Sequence, residues 1–279
     1  MSEQENILDR ILVDVRREIA QAKSRVSLAE LELRIQDAPP VQSLKTALSE
    51  SFGLIAEIKV CSPSMGRMRE QNVAEAPEAY RSSNAVKAVS LLTSKTHFGM
   101  DVHDLSRLRE VIEKPVLRKD FIVDPYQVYE ARAHGADAVL LMSQHLSPGE
   151  IQELHELARS LGLEVLLECF TREHIEKAPE TVEVIGINSR NFRASTQSYE
   201  AARLQSEAGS RQDFTTNLDN FENIRFVRPD AVKVAESGIS PASVQRVETL
   251  GFHAALVGTS LLMDERGVHA ALTEFEENM

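Results

Sequence analysis

Residues 54–59 read Leu-Ile-Ala-Glu-Ile-Lys, a short apolar run with two charged side chains near its end. A run of this kind is typical of a buried strand. Because side chains alternate between the two faces of a strand, Glu57 and Lys59 point to the same side, about 7 Å apart. Opposite charges are costly to bury without a role, and small, turn-forming residues follow at 61–66. The stretch therefore indicates a functional site at the exit of a buried strand in an α/β fold.

Similar apolar runs recur along the chain and predict eight strands, at 54–58, 86–92, 115–117, 137–142, 163–167, 184–187, 231–235 and 254–257. Helix-like stretches separate most of them, at 73–82, 102–112, 125–134, 148–160, 171–178, 217–227 and 241–250. This alternation predicts parallel strands that are buried on both faces. Eight such units in about 230 residues predict a single (β/α)8 TIM barrel. An open doubly wound sheet is the alternative, but the chain has no glycine-rich GxGxxG turn.

The residues before the first strand predict a helical extension. Apolar positions at helical spacing predict an amphipathic helix over 4–23, and a second short helix over 41–50 follows Pro39 and Pro40. We therefore predict that residues 1–50 form an N-terminal helical extension packed on the barrel, and that 51–279 form the catalytic barrel.

Composition restricts the partners and the compartment. The formal net charge of −12 argues against nucleic acid or an anionic membrane as a partner. An anionic substrate would need a local cationic site. Cys61 and Cys169 are far apart, which predicts neither a disulfide framework nor a zinc site and suits a reducing compartment. No stretch approaches the roughly 18 apolar residues of a membrane span, so we predict a cytoplasmic protein.

A barrel of this kind places its functional side chains at the carboxyl ends of the strands. The predicted ends carry Glu57 and Lys59, Thr93, Lys119 and Phe121, Ser143, Glu168, Asn188 and Arg190, Glu236 to Gly238, and Gly258 to Ser260. The opposite ends carry mainly turn residues, such as Gly53, Pro115 and Gly162. The loops after the last two strands offer small residues and hydroxyls, which suits the phosphate site that barrels often place there. This one-sided polarity predicts an active site at one mouth of the barrel.

Longer strings of the chain resemble the indole-3-glycerol phosphate synthase family. They lie at 55–59, 62–64, 89–93, 115–127, 135–141, 186–191, 235–239 and 256–261. The Lys-Asp-Phe string at 119–121 with its Asp-Pro-Tyr-Gln tail is highly specific, whereas Glu-Ser-Gly-Ile at 236–239 occurs in several phosphate-binding barrels. The resemblance runs from about residue 53 to about residue 263, and the N-terminal extension fits the family too.

The resemblance implies a carbon–carbon lyase (a carboxy-lyase) of tryptophan biosynthesis. Such an enzyme converts 1-(2-carboxyphenylamino)-1-deoxyribulose 5-phosphate to indole-3-glycerol phosphate by ring closure, decarboxylation and dehydration. The small-molecule partner is then a phosphorylated anilino sugar, and neither an organic cofactor nor a metal is needed. Contacts with other enzymes of the tryptophan pathway are a further hypothesis.

The resemblance also implies roles for single residues. Lys119 is expected to be the general acid of ring closure, which requires burial and neighbouring cations to lower its pKa toward neutrality. Glu168 is the expected general base of dehydration, and Lys59, oriented by Glu57, is the second cation. The remaining candidates are Asn188 (catalytic), Ser62, Phe98, Phe121, Arg190 and Glu236 (substrate binding), and Ser237, Gly238, Gly258 and Thr259 (phosphate binding).

Other interpretations stay open at this point. Glu57 and Lys59 also fit a buried structural ion pair. Val60 and Met65 stand where relatives often have basic residues, and a polar insertion at about 194–213 follows the sixth strand, either as a plain surface loop or as a lid or partner contact. The alternative functions are a paralogous phosphate-binding barrel enzyme with another substrate, or a non-catalytic barrel that binds a phosphorylated metabolite.

Overall fold

The computed structural model describes residues 6–191 and 216–279, so the predicted insertion at 194–213 lies outside the described residues. Eight parallel strands close into a barrel in the order β1-β8-β7-β6-β5-β4-β3-β2. The strands are β1 (Gly53–Ile58), β2 (Val86–Leu92), β3 (Val116–Lys119), β4 (Ala138–Met142), β5 (Glu164–Cys169), β6 (Val184–Asn188), β7 (Val232–Glu236) and β8 (Ala254–Val257). The predicted TIM barrel with its N-terminal helical extension is therefore confirmed.

The strands form where both of their faces can be buried. All six residues of β1 are buried, and alternate residues belong to two different apolar clusters. Ile55, Leu117, Leu166 and Leu256 belong to the cluster that fills the barrel interior. Their neighbours, such as Leu54, belong to the cluster that meets the surrounding helices. The period of two explains why the sequence shows continuous apolar runs instead of an apolar–polar alternation.

Helices cover the barrel and precede it. The α-helices are α1 (Ile7–Arg25), α2 (Leu28–Gln36), α3 (Leu44–Ser49), α4 (Glu70–Ser82), α5 (Lys95–Phe98), α6 (Val102–Arg109), α7 (Pro125–Ala133), α8 (Pro148–Ser160), α9 (Arg172–Glu176), α10 (Pro241–Thr249), α11 (Thr259–Leu262) and α12 (Val268–Glu277). The predicted helix at 217–227 is instead a 3₁₀ helix, Leu218–Phe226. Asn220 in its first turn donates to the main-chain oxygens of Phe170 and Asn188, which ties this segment to the ends of β5 and β6.

The N-terminal helices contact the barrel at two places. The apolar face of α1, with Ile11, Val15 and Ile19, is buried. The start of α3 lies at the amino-terminal ends of β4 and β5, where the main-chain N–H of Gln42 donates to Asp137 and that of Lys45 donates to Glu164, each at 2.7 Å. These contacts hold α3 at the amino-terminal end of the barrel, opposite to the carboxyl ends of the strands.

The carboxyl ends of all eight strands lie at one end of the barrel, as a closed parallel sheet requires. Directly after β1 the chain forms a small antiparallel ribbon, in which Cys61–Ser62 pairs with Gly66–Arg67. Within the described part of the chain, no helix is long and apolar enough to cross a membrane.

Candidate active site

A cavity of about 420 Å³ opens at the carboxyl ends of the strands. Most of the predicted site residues line it: Glu57, Lys59, Ser62, Phe98, Lys119, Phe121, Arg190, Ser237, Gly238, Gly258 and Thr259. They come from segments that are far apart in sequence, and the closed barrel brings them to one mouth.

Three predicted residues lie beneath the cavity wall instead of on it. Glu168, Asn188 and Glu236 are completely buried. The side-chain oxygen of Asn188 accepts a hydrogen bond from the main-chain N–H of Arg190 at 2.8 Å, so Asn188 fixes the backbone that presents Arg190. Glu168 and Glu236 lie close to the ammonium group of Lys119, which connects them to the cavity.

Lys119 stands at the centre of the buried charges. Its Nζ lies 3.7 Å from Glu168, 3.8 Å from Glu236 and 4.0 Å from Glu57. Burial lowers the pKa of Lys119, but the three carboxylates outweigh burial and the pKa is raised overall. The expectation that this pKa falls toward neutrality is therefore wrong. The carboxyl groups around Lys119 favour its protonated form.

Lys59 and Glu57 form a buried ion pair with an Nζ–Oε1 distance of 2.5 Å. Burial lowers the pKa of Lys59, and Arg190 and Lys119 lower it further, against the opposing effect of Glu57. Burial alone would raise the pKa of Glu57, but Lys59 and Lys119 hold it below its usual value. Both partners also line the cavity, so this buried pair faces the cavity.

Glu236 differs from the other carboxylates in its protonation. Complete burial raises its pKa well above the usual value, and the neighbouring charge and hydrogen bond of Glu168 raise it further, while Lys119 opposes them in part. Glu236 is therefore the carboxyl group of this site that most readily keeps a proton. Lys59, Lys119 and Arg190 bring three basic side chains to the same cavity.

Two glycines make room for these carboxylates. A Cβ at Gly186 would lie 2.0 Å from Oε1 of Glu236, and a Cβ at Gly258 would lie 2.5 Å from Oε1 of Glu57. Real Cβ atoms do not come that close to another heavy atom, so a larger residue at either position would displace a carboxylate. The sequence indicated Gly258 only as a phosphate-binding residue and gave Gly186 no role.

The upper part of the cavity has an aromatic wall and a polar wall. The rings of Phe98 and Phe121 are stacked, with centroids 6.3 Å apart and planes at 24°. Across the cavity, Nη1 of Arg190 donates to the hydroxyl of Ser64 at 2.7 Å, which links the loops after β1 and β6. The hydroxyl of Ser62 accepts from the main-chain N–H of Met65 at 3.1 Å. These walls can hold a planar aromatic group next to cations.

The loops after β7 and β8 form the remaining corner. Ser237 and Gly238 both have φ of 70°, and Ser237 is the one non-glycine residue with positive φ within 6–191 and 216–279. The hydroxyl of Ser189 donates to the main-chain oxygen of Ser237 at 2.8 Å, which holds this strained turn. Thr259 begins the short helix α11, and N–H groups in a first helical turn have no acceptor within the helix.

Sequence reasoning missed much of the apolar wall. The additional lining residues include Met65, Leu92, Leu140, Met142, Thr216, Leu218, Ile239 and Leu256. An apolar residue in a strand, such as Leu140, has the same sequence pattern in the core and in a pocket floor. Thr216 and Leu218 follow the insertion and do not lie at the end of a predicted strand, so the sequence did not indicate them as site residues.

Asp120 also lines the cavity, but its carboxylate is occupied. It accepts from Arg118 at 2.8 Å, from the hydroxyl of Thr93 at 2.7 Å and from the main-chain N–H of Phe121 at 2.8 Å. These bonds fix the segment that carries Lys119. Within the two described ranges, no group of His, Cys, Asp and Glu is arranged to hold a metal ion.

A family model described as indole-3-glycerol phosphate synthase matches residues 8–208. The chain belongs to the indole-3-glycerol phosphate synthase family. A relative of that name from Bacteroides thetaiotaomicron is 36% identical over 261 residues, covering 92% of this chain and 93% of the relative. One from Salinibacter ruber is 38% identical over 267 residues, covering 93% and 92%. The family resemblance and the predicted class, a carboxy-lyase of tryptophan biosynthesis, are thereby confirmed.

Solved structures outside the family share the fold. The 3-hexulose-6-phosphate synthase from Salmonella typhimurium superposes with a TM-score of 0.58 at 14% identity, over 82% of this chain and 97% of that chain. At this level of identity the likeness concerns the barrel alone.

We predict that Gly186→Ala disturbs the carboxyl pair. The new methyl group meets Glu236, so we expect a loss of about 1–3 kcal/mol in the free energy of unfolding and a clear fall in kcat. Gly149→Ala is the matched control, because a Cβ there meets nothing within 4 Å. Urea unfolding and a steady-state assay measure both variants, and equal behaviour of the two would contradict the close contact.

A second prediction concerns pH. Between the ordinary glutamate pKa of 4.5 and the raised pKa of Glu236, the folded protein binds more protons than the unfolded chain, so its stability falls as the pH rises. Glu236→Gln removes this titration. The free energy of unfolding of the variant minus that of the wild type should therefore grow from about pH 5 to about pH 8. Urea titrations at both pH values test this, and a constant difference would argue against the raised pKa of Glu236.

Proposed function

We propose that the cavity binds 1-(2-carboxyphenylamino)-1-deoxyribulose 5-phosphate and that the residues around Lys119 convert it to indole-3-glycerol phosphate. The observation that carries this proposal is the protonated Lys119 held by Glu57, Glu168 and Glu236 at the floor of the cavity. An acid and two further cations then line one cavity, and a base lies directly beneath its floor beside the acid, which gives the groups that the reaction requires.

Each part of the substrate has a complementary wall. The benzoate carboxylate lies against Lys59 and Arg190, since a guanidinium group suits a planar oxyanion. The aromatic ring lies beside Phe98 and Phe121, and the phosphate lies at the loops after β7 and β8, with Ser237, Gly238, Gly258 and Thr259. Lys59, Lys119 and Arg190 provide the local cationic site that a polyanion needs in a chain with an overall charge of −12.

Ring closure uses the proton of Lys119. The ring carbon that bears the carboxylate attacks the ketone carbon, and Lys119 protonates the ketone oxygen as negative charge develops on it. The raised pKa of Lys119 ensures that the proton is present, and the developing alkoxide is a stronger base than an amine. Carbon dioxide then leaves, and the electrons of the broken bond restore the aromatic ring.

Dehydration uses the second lysine and the buried base. Glu168 removes a proton from the carbon next to nitrogen, while Lys59 protonates the departing hydroxyl group, which leaves as water. The lowered pKa of Lys59 suits this role, because it makes Lys59 the stronger acid of the two lysines. Glu236 keeps its proton and donates a hydrogen bond to Glu168, which limits the negative charge at the floor of the site.

The alternatives have less support. A non-catalytic barrel has no need to hold Lys59, Lys119 and Glu168 in one buried cluster at considerable desolvation cost. A paralogue with another substrate would keep the acid and base but would not need the carboxylate wall of Lys59 and Arg190 together with the Phe98–Phe121 wall. Contacts with other tryptophan-pathway enzymes and a cytoplasmic location stay predictions.

The direct test is the fluorescence of the indole product. The chain contains no tryptophan, so product fluorescence rises over a low background when the purified protein receives the anilino deoxyribulose phosphate. We expect Lys119→Ala to lower kcat by about a hundredfold or more, because the general acid is lost. A wild-type protein that gives no signal would reject the proposed function.

A comparison of two glutamine variants tests the roles of the carboxyl pair. Glu168→Gln removes the base, and we expect kcat to fall by about 10²–10⁴-fold. Glutamine resembles a protonated glutamate in shape and charge, so Glu236→Gln should lower kcat by less than about tenfold. Steady-state rates at saturating substrate measure both variants. A larger effect for Glu236→Gln would reverse the assignment of base and neutral partner.

A further inference from the structure

The N-terminal helix α1 is hydrogen-bonded to the short helix α5, which ends at Phe98 in the loop region after β2. The carboxylate of Glu18 accepts from the main-chain N–H of Thr96 at 3.1 Å and from its hydroxyl at 2.5 Å. One turn earlier on α1, Asp14 contacts Nε2 of His97 at 3.1 Å. Two acidic side chains of the extension thus hold two consecutive residues immediately before Phe98.

Phe98 is buried in the same apolar cluster as Val15 and Ile19 of α1. A cavity of about 430 Å³ nevertheless lies between α1 and the barrel, and its lining includes Asp14, Glu18 and Thr96. On the barrel side, the main-chain oxygen of Phe98 accepts from the N–H of Val60 at 3.0 Å. Polar contacts on both sides therefore add to the packing of Phe98, and Glu18 and Asp14 provide those from α1.

The same helix also reaches the loop that carries Phe121. Nζ of Lys23, near the end of α1, lies 2.7 Å from Asp124, and the hydroxyl of Tyr126 donates to the main-chain oxygen of Val26 at 3.0 Å. The extension consequently contacts both segments whose rings are stacked. The separation of those rings from the opposite cavity wall depends on where α1 holds the two loops.

We propose that Glu18 and Asp14 are positioning residues that set the aromatic side of the cavity, and thereby the affinity for the aryl part of the substrate. The proposal rests on the proposed function, in which Phe98 and Phe121 contact the anilino ring. It assigns to the extension a role in recognising the ring, while the phosphate and the reacting atoms are held by the barrel itself.

Loss of Glu18 should leave the fold intact. The buried apolar residues Ile11, Val15 and Ile19 keep α1 on the barrel, and Glu18 is not part of that apolar contact. A variant at this position therefore tests the placement of the loop more than the stability of the protein. Glu32 on α2 is an exposed carboxylate that makes none of these contacts, and it provides a matched control.

The experiment compares Glu18→Ala, Glu18→Gln and the control Glu32→Ala. For Glu18→Ala we expect KM to rise about tenfold with kcat within about twofold, the size expected from the loss of charge-assisted hydrogen bonds. Glu18→Gln keeps an oxygen that accepts from Thr96 and should restore much of the affinity. Glu32→Ala should equal the wild type.

Two binding probes separate the ring from the phosphate. The first is the substrate analogue with its ketone reduced to an alcohol, which cannot cyclise, and the second is ribulose 5-phosphate, which lacks the ring. Glu18→Ala should weaken binding of the first about tenfold and leave the second unchanged in calorimetric titrations. Equal weakening of both probes, or an unchanged KM, would overturn the proposal. Absence of turnover in the wild type would instead reject the proposed function, which keeps the two outcomes distinct.

Discussion

The site depends on one buried electrostatic arrangement, the ammonium group of Lys119 among the carboxyl groups of Glu57, Glu168 and Glu236. Taking such charges out of water costs several kcal/mol for each ion, and only close partners offset the cost. The partners come from β1, β3, β5 and β7, which meet only when the sheet closes. The closed barrel is therefore needed to bring these side chains together. Gly186 and Gly258 provide the space that the carboxyl groups of Glu236 and Glu57 occupy.

The arrangement also gives the two lysines different surroundings. Both are buried, but Lys119 faces three carboxyl groups and its pKa is raised, whereas Lys59 has Glu57 beside it and two cations nearby, and its pKa is lowered. The difference in pKa follows from the numbers and signs of their neighbours, and it is the physical basis of the different acid roles that we propose for two identical side chains.

The sequence predicted the barrel well because each strand is buried on both faces and reads as a separate apolar run. It predicted most of the cavity because strand ends meet at one mouth. The sequence did not predict properties that depend on contacts between residues that are remote in the chain. These properties are the pKa of Lys119, the complete burial of Glu168, Asn188 and Glu236, and the place of Leu218 in the apolar wall. The helix at 28–36 was missed because its buried contact is the single residue Leu31.

The extension touches both ends of the barrel, through α1 at the catalytic mouth and α3 at the opposite end. The hydrogen-bond partners of Gln42 to Lys45, at the start of α3, come 95 to 138 residues later in the chain, and Asp124 comes 101 residues after Lys23. The extension leaves the ribosome before any of these partners exists. These helices are therefore synthesised well before the residues that they contact, and contacts between residues that are remote in the chain are slow to form in folding. The catalytic mouth is completed by a segment that is made before any strand of the barrel.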